Sequence, residues 1–269
     1  MGRVLIFFKK LVILLSMLKL KLSVCFLAFC LPILGQNNAA EIFGKAADQL
    51  LTENLELSLE IKEIASNGKS KDKKYDVLIG KSEGVERTKT VVQYPDKLKG
   101  ITIVITDYPE ETGLIEIFTP ANGKIRKMKA TSKNMELVNS GVSISNYTSK
   151  DRSQLSFDFK GTEEFEGKSC YKLQVIDILD LENGQTEYLI EKNTYRILKI
   201  TAFNEDGTEK SITTYSDFQA IGQLKGKIQP MFMVNKDLKK AKHNEIKVLK
   251  INARPDLKEE NFSIEPVIN

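Results

Sequence analysis

Few side chains in this sequence could do chemistry, and they are scattered along the chain. The 269 residues include one His and no Trp. The single His, His243, stands among cations in KKAKHNEIK. A zinc site with several His ligands would need a second His, which this chain does not have. A Ser-His-Asp triad would have to use this residue, and such a triad needs a base held in a cleft. We therefore predict that His243 is an ordinary solvated residue.

Carboxylates form two groups that could supply a catalytic acid and base. Glu163, Glu164 and Glu166 fall in GTEEFEGK, and Asp177 and Asp180 fall in VIDILDLENG. Glycoside hydrolases use such pairs, but their sites are usually lined by aromatic platforms, and this chain has no Trp. Both groups also flank predicted turns, where acidic residues are expected. We predict that the protein is not an enzyme and uses no cofactor and no metal.

Three further motifs have ordinary structural explanations. The turn PANGK, residues 120–124, lacks the second glycine and the following helix that a phosphate-binding loop requires. Cys170, in KSCYKLQV, is predicted to be a small buried residue of a strand. Met231 and Met233 flank Phe232 and would suit an adaptable apolar surface, although methionines also fill ordinary cores.

Residues 1–35 are predicted to be a signal peptide. Lysines precede an uncharged apolar run, LSVCFLAFCLPILG, at residues 22–35. That run is shorter than the roughly 20 apolar residues of a membrane-spanning helix, so we predict cleavage after Gly35. A conventional signal would begin at Met17, and we hypothesise that translation starts there. Neither Cys25 nor Cys30 follows the small residue that normally precedes a lipidated cysteine.

The charge balance of the exported part excludes one class of partner. Removing residues 1–35 removes five cations and no acid, which leaves 35 basic against 36 acidic residues. Nucleic-acid binders carry a concentrated positive surplus, so no nucleic acid is predicted as a partner. Residues 36–269 keep one cysteine, so the predicted single domain must be stable without a disulfide.

The hydrophobic pattern predicts one helix followed by many strands. Apolar residues recur at helical spacing over residues 39–52, and from NLELSLEIKEI onward the period changes to two. We predict around ten antiparallel strands joined by short turns, with later strands at 246–251 and 262–264. Such a sheet, mainly β in an α+β fold, curls into a barrel or half-barrel whose apolar face needs a cover. The cover is predicted to be the helix and a loop with a short helix at 131–151, although 131–151 could equally be a surface connection.

Three motifs resemble a known family. YPDKLKG at 94–100, IEIFTPANGKIRKM at 115–128 and FEGKSCYKLQVI at 165–176 are similar, in order and spacing, to the LolA-like superfamily of outer-membrane lipoprotein-sorting proteins. The resemblance implies a strongly curved, unclosed antiparallel half-barrel with helices over its mouth. One segment departs from the family pattern, because NSGVSISNY at 139–147 lacks the family's acidic residues. The Lys-rich segment 236–250 has no role that the resemblance assigns.

The resemblance also implies a function. It implies a periplasmic carrier of a Gram-negative bacterium that shelters lipoprotein acyl chains, or another lipid, between an inner-membrane donor and an outer-membrane acceptor. The alternative is a periplasmic sensor or scaffold that binds a protein partner with the same half-barrel.

The predicted apolar cavity uses one face of several strands, and ordinary core packing is the competing explanation for each member. Its candidate residues are Leu55, Leu57, Leu59, Ile61, Ile101, Ile103, Ile105, Ile115, Ile117, Leu155, Phe157, Phe159, Tyr171, Leu173 and Val175. The candidate contacts for an anionic headgroup or a partner are Lys124, Arg126 and Lys127.

Overall fold

One helix and thirteen strands make up the described part of the protein. The structure is a computed structural model, and it describes residues 39–50, 54–108, 112–131, 152–178, 185–222 and 226–264. The helix, α1, covers 39–49, in agreement with the predicted helix at 39–52. The predicted signal peptide and all of the predicted lid except Thr131 lie outside the described residues.

Thirteen strands follow the helix, and most of them lie where the sequence alternates with period two. They are β1 (Leu55–Ile64), β2 (Ser70–Ser82), β3 (Val85–Tyr94), β4 (Thr102–Asp107), β5 (Leu114–Thr119), β6 (Lys124–Lys129), β7 (Leu155–Phe165), β8 (Lys168–Asp177), β9 (Thr186–Glu191), β10 (Ile197–Phe203), β11 (Glu209–Ala220), β12 (Ile228–Asp237) and β13 (Lys242–Ala253). The Met-rich segment around Met231 is itself a strand, β12. The sequence of β12 does not alternate between apolar and polar residues. Three successive residues, Gln229, Pro230 and Met231, are all buried in the structure.

All thirteen strands belong to one antiparallel sheet. Their order is β6-β5-β4-β3-β2-β1-β13-β12-β11-β10-β9-β8-β7. Neighbours along the chain are neighbours in the sheet, except that β1 pairs with β13 and leaves β6 and β7 as the two edges. Among the described residues the sheet is therefore not closed into a barrel. The predicted fold class, an unclosed half-barrel with an N-terminal helix, is confirmed.

The predicted closing strand at 262–264 is wrong. Residues Glu259–Phe262 form a 3₁₀ turn instead. The side-chain oxygen of Asn261 accepts a hydrogen bond of 2.7 Å from the backbone N–H of Lys258, which satisfies the start of the turn locally. A strand here would also have no place beside β13, because that strand already pairs with β1 on one side and β12 on the other.

The strand register divides the sheet into an inner face, defined as the face that carries α1, and an outer face. Directly paired residues of antiparallel strands point to the same side. One row across five strands consists of Leu57, Val77, Thr90, Ile103 and Ile117. Because successive residues alternate between faces, this row places the predicted apolar positions of β1, β4 and β5 together on the inner face.

Helix α1 packs on the β7–β10 end of the inner face. Ala39, Ile42 and Ala46 are buried against strand residues that include Leu173 and Ile190. These positions recur at the three- and four-residue spacing of one helix face, which is why the sequence forms an amphipathic helix here. The helix therefore covers one end of the inner face and leaves the β1–β6 end to other contacts.

Phe43 is the largest side chain that α1 inserts into the sheet. Its ring lies 5.1 Å from the ring of Phe157 and 5.2 Å, edge to face, from the ring of Tyr188, measured between centroids. Such aromatic pairs add to the free energy gained by burying the rings.

Polar contacts fix the C-terminal end of α1. The side-chain amide of Gln49 donates to the carbonyl of Thr194 at 2.8 Å. The ammonium group of Lys227 donates to the carbonyls of Asp48 and Leu50 at 2.8 and 3.0 Å. A cation at this position satisfies helix carbonyls that have no intrahelical partner and opposes the partial negative charge of the helix end.

The outer face is covered in part by the C-terminal segment. Phe262 is 5% exposed and packs directly over Gly80 of β2. The ammonium group of Lys89 donates to the carbonyls of Asn261 and Ser263 at 3.1 and 2.8 Å, and Arg87 forms an ion pair with Glu259 at 3.0 Å. The segment is thus tied to β2 and β3 by one ring and several charged contacts.

Cys170 lies in a separate small cluster on the outer face. It is fully buried, has a free thiol, and packs with Leu189 and Leu198. Burial raises the pKa of the Cys170 thiol above its usual value. The prediction that this residue is a small buried side chain of a strand is confirmed.

We predict that Gly80→Ala loosens the C-terminal segment. An added Cβ would lie 2.6 Å from the nearest ring carbon of Phe262, so the ring would have to move. Overpacking of this kind costs about 1–3 kcal/mol of unfolding free energy, which urea denaturation followed by circular dichroism would measure. Hydrogen exchange should also become faster in residues 258–264.

Gly222→Ala is the matched control, because a Cβ there meets nothing within 4 Å. It should change the unfolding free energy by less than about 0.5 kcal/mol. Equal stability of the Gly80 and Gly222 variants would contradict the packing described for Phe262.

We predict that Phe43→Ala destabilises the protein by about 2–3 kcal/mol, because it removes both ring contacts and leaves a cavity between helix and sheet. Urea unfolding would measure the loss. Glu41→Ala, on the exposed side of the same helix, should leave the midpoint nearly unchanged. A Phe43 variant that unfolds at the wild-type midpoint would show that α1 is not anchored by this ring.

Candidate functional site

The inner face collects the predicted cavity residues. Fourteen of the fifteen lie on it by strand register, and Ile101 stands one residue before β4. The fully buried members are Leu55, Leu59, Ile61, Ile115, Phe157, Leu173 and Val175. The half-buried members are Leu57, Ile101, Ile103, Ile105, Ile117, Leu155, Phe159 and Tyr171.

These residues fall into three regions of the inner face. The residues of β7 and β8 contact α1, and those of β1 belong to a central cluster shared with β2 and β10–β13. The third region consists of the isoleucines on and just before β4 and on β5, and it belongs to neither cluster. We call this third set the isoleucine region: Ile101, Ile103, Ile105, Ile115 and Ile117.

The isoleucine region differs from an ordinary amphipathic strand pair. Ile103, Ile105 and Ile117 are only half-buried on the inner face. On the outer face of β4, Val104 is 2% exposed and Thr106 is 6% exposed. The more apolar side of β4 is therefore the less buried side, which reverses the usual arrangement. An apolar surface that remains partly accessible is a feature of binding sites.

The three predicted cationic contacts do not share a face. Lys124 pairs with Thr119 and Arg126 pairs with Ile117, so both belong to the inner face at the edge strand β6. Lys127 lies on the outer face, where its ammonium group is 2.6 Å from a carboxylate oxygen of Glu116. Only Lys124 and Arg126 are therefore placed beside the isoleucine region.

A pocket that the sequence did not indicate lies at the C-terminal end of α1. It is open to solvent and lies between the helix, the β9–β10 turn and strands β10–β12. It is lined by Ala46, Gln49, Leu50, Tyr195, Arg196, Ile197, Ile200, Tyr215, Phe218, Ile228 and Pro230. These residues come from four separate parts of the chain, and Arg196 stands in NTYRIL, which has no recognisable motif.

His243 and the glutamates of residues 163–166 are not among the residues that line this pocket. His243 is on β13 with 37% of its side chain exposed, 4.0 Å from Glu245. Glu163 accepts a hydrogen bond of 3.2 Å from Lys172, which also pairs with Glu187 at 3.0 Å, and these bonds raise the pKa of Lys172. Within the described ranges, no three His, Cys, Asp or Glu side chains come together where they could hold a metal ion.

The same ranges contain no helix with the length and apolarity needed to cross a membrane.

Solved structures with a similar fold include three bacterial proteins. An outer membrane lipoprotein-sorting protein domain from Vibrio parahaemolyticus has a TM-score of 0.71 and 14% identity, covering 85% of this chain and 97% of its own. A DUF1329 family protein from Desulfovibrio piger has a TM-score of 0.71 and 16% identity, with the same coverage. A LolA superfamily protein from Nitrosomonas europaea has a TM-score of 0.64 and 15% identity, covering 84% of this chain and 97% of its own. The LolA-like fold implied by the sequence motifs is confirmed.

No curated protein matches the chain. A family model whose description reads "-like: Uncharacterized protein" matches residues 84–266, which is more than half of the 269 residues. The chain therefore belongs to that family, and its fold is LolA-like.

Proposed function

We propose that the protein is a non-enzymatic periplasmic carrier that binds the acyl chains of lipoproteins, or of another lipid, on its inner face. After export by residues 1–35, residues 36–269 would act as one domain between an inner-membrane donor and an outer-membrane acceptor. The observation that carries the proposal is the isoleucine region, where Ile103, Ile105 and Ile117 are only half-buried on the inner face of an unclosed half-barrel.

Hydrophobic burial alone can supply the affinity. An acyl chain gains about 0.8 kcal/mol for each CH₂ group removed from water, and it needs no directional partner. The isoleucines of β4 and β5 continue the apolar surface of Leu57 and Val77 through directly paired positions. An extended chain lying along this surface would cover side chains that the protein leaves partly accessible.

The similar structures support the same class of function. The Vibrio parahaemolyticus domain is described as a lipoprotein-sorting domain, and it shares the half-barrel architecture over 85% of this chain. Carriage of a lipid requires no catalytic group. Glu163 and Glu187 fit this role, because both carboxylates form ion pairs with Lys172 on the sheet surface.

A second candidate is a sensor or scaffold that binds a protein partner. The edge strand β6 favours it, because its sequence KIRKMK has four cations and all but one of its residues are exposed. Lys124 and Arg126 would then contact acidic side chains of a partner, which could add a strand to this edge. Lipid that co-purifies with the protein separates the two functions, and native mass spectrometry of protein extracted from its own periplasm would detect it.

We predict that Ile103→Asp weakens acyl-chain binding by about tenfold or more, because it puts a carboxylate into the proposed apolar surface. Displacement of the neutral dye Nile red by hexadecanol would measure the affinity, and circular dichroism would verify folding. Ile125→Asp is the matched control, since Ile125 pairs with Phe118 on the outer face and is already 39% exposed. A folded Ile103 variant with wild-type affinity would rule out the isoleucine region as the lipid site.

A further inference from the structure

The pocket at the C-terminal end of α1, here called the Arg196 pocket, combines apolar walls with one cation. Leu50, Ile197, Ile228 and Pro230 supply much of its apolar lining, and Arg196 is the one charged residue among the described residues that line it. Ligand pockets of this kind use a small number of polar groups to orient an otherwise apolar ligand.

One nitrogen of the Arg196 guanidinium group lacks the acceptor that its burial requires. Its Nε atom is buried and has no hydrogen-bond partner in the part of the chain that the structure describes. A buried donor left unsatisfied costs free energy, and a charged donor costs more than a neutral one. The Phe218 ring, whose centroid is 5.3 Å from the Arg196 Cζ atom, holds the guanidinium group by a cation–π contact. The ring thus positions Arg196, while its Nε atom has no partner among the described residues.

The charges around the pocket favour an anion. The carbonyls at the C-terminal end of a helix carry partial negative charge, which would repel an anionic ligand. Here the ammonium group of Lys227 already occupies the carbonyls of Asp48 and Leu50, and the carboxylate of Asp48 pairs with Arg152. No carboxylate therefore stands between the open side of the pocket and Arg196 among the lining residues.

The pocket shares lining residues with the inner face. Ile200 and Tyr215 line it and also belong to the central cluster of the inner face, and Ala46 lines it while packing under α1. A ligand whose polar end meets Arg196 would therefore direct its tail toward the apolar residues of the sheet.

We propose that the Arg196 pocket binds the anionic end of the lipid, a carboxylate or phosphate group attached to an acyl chain. The guanidinium group donates paired hydrogen bonds to two oxygens of this group, and the chain follows Ile200 and Tyr215 onto the inner face. This site rests on the proposed carrier function, because it assigns the head of the ligand whose tail lies on that face.

The test compares three ligands with the same chain length in Nile red displacement: palmitic acid, palmitoyl lysophosphatidic acid and the uncharged hexadecanol. Wild-type protein should bind at least one of the two anionic ligands about tenfold or more tightly than hexadecanol. The better anion identifies the source, a free fatty acid or a phosphate headgroup. Arg196→Gln should remove this preference while leaving hexadecanol affinity within about twofold.

Two further variants separate a specific contact from general charge. Arg196→Lys should keep part of the preference, because lysine supplies the charge without the paired donors. Lys160→Gln is the matched control: its ammonium group pairs with Asp158 of β7 at 2.7 Å, no residue of β7 is among those that line the pocket, and the preference should persist. Hexadecanol binding by each variant reports whether its inner face is still folded.

The outcomes distinguish the two proposals. If wild-type protein binds all three ligands equally, or if a folded Arg196→Gln variant keeps the preference, the anion site is overturned and the carrier function stands. If none of the three ligands displaces the dye from wild-type protein, the carrier function itself is overturned. Should Arg196→Gln fail to fold, the wild-type comparison and Arg196→Lys still decide.

Discussion

The pairing of β1 with β13 is the contact on which the rest of the architecture depends. It joins the two runs of consecutive strands, β1–β6 and β7–β13, into a single sheet, and in doing so it places β6 and β7 at opposite edges. Ten paired positions along these strands, with one register shift between Ser58 and Leu59, align the apolar residues of both runs on one side. A continuous inner face exists only because this junction keeps the register.

The inner face is covered unevenly, and this unevenness connects the fold with the proposed function. Near β7–β10 the face is packed by Ile42 and Phe43, so the sheet there behaves as an ordinary protein core. At the other end the isoleucines of β4 and β5 keep part of their surface accessible. A carrier needs both conditions, because the packed end supplies stability while the accessible end leaves apolar surface for a ligand.

The C-terminal segment covers part of the outer face. Phe262 fills the space above Gly80, and the lysine and arginine of β3 hold the backbone and carboxylate of the same segment. The contrast between the two faces explains why Val104 is more buried than the isoleucines beside it. It also assigns different roles to similar cations, since Lys127 is paired on the outer face while Arg126 stands on the inner face at the sheet edge.

The sequence by itself determined the helix that begins at Ala39, the long series of strands, and the face of the sheet to which Leu57, Ile103 and Phe157 belong. These features are encoded locally, because a period of two or of three to four residues can be recognised within one segment. The strand predicted at 262–264 is wrong, since a short apolar pattern cannot indicate whether a sheet has room for another strand. Only the tertiary structure decided that question and brought Ala46, Arg196 and Pro230 into one pocket. These residues are far apart in the chain, and no local periodicity records which distant side chains the register and the helix will place in contact.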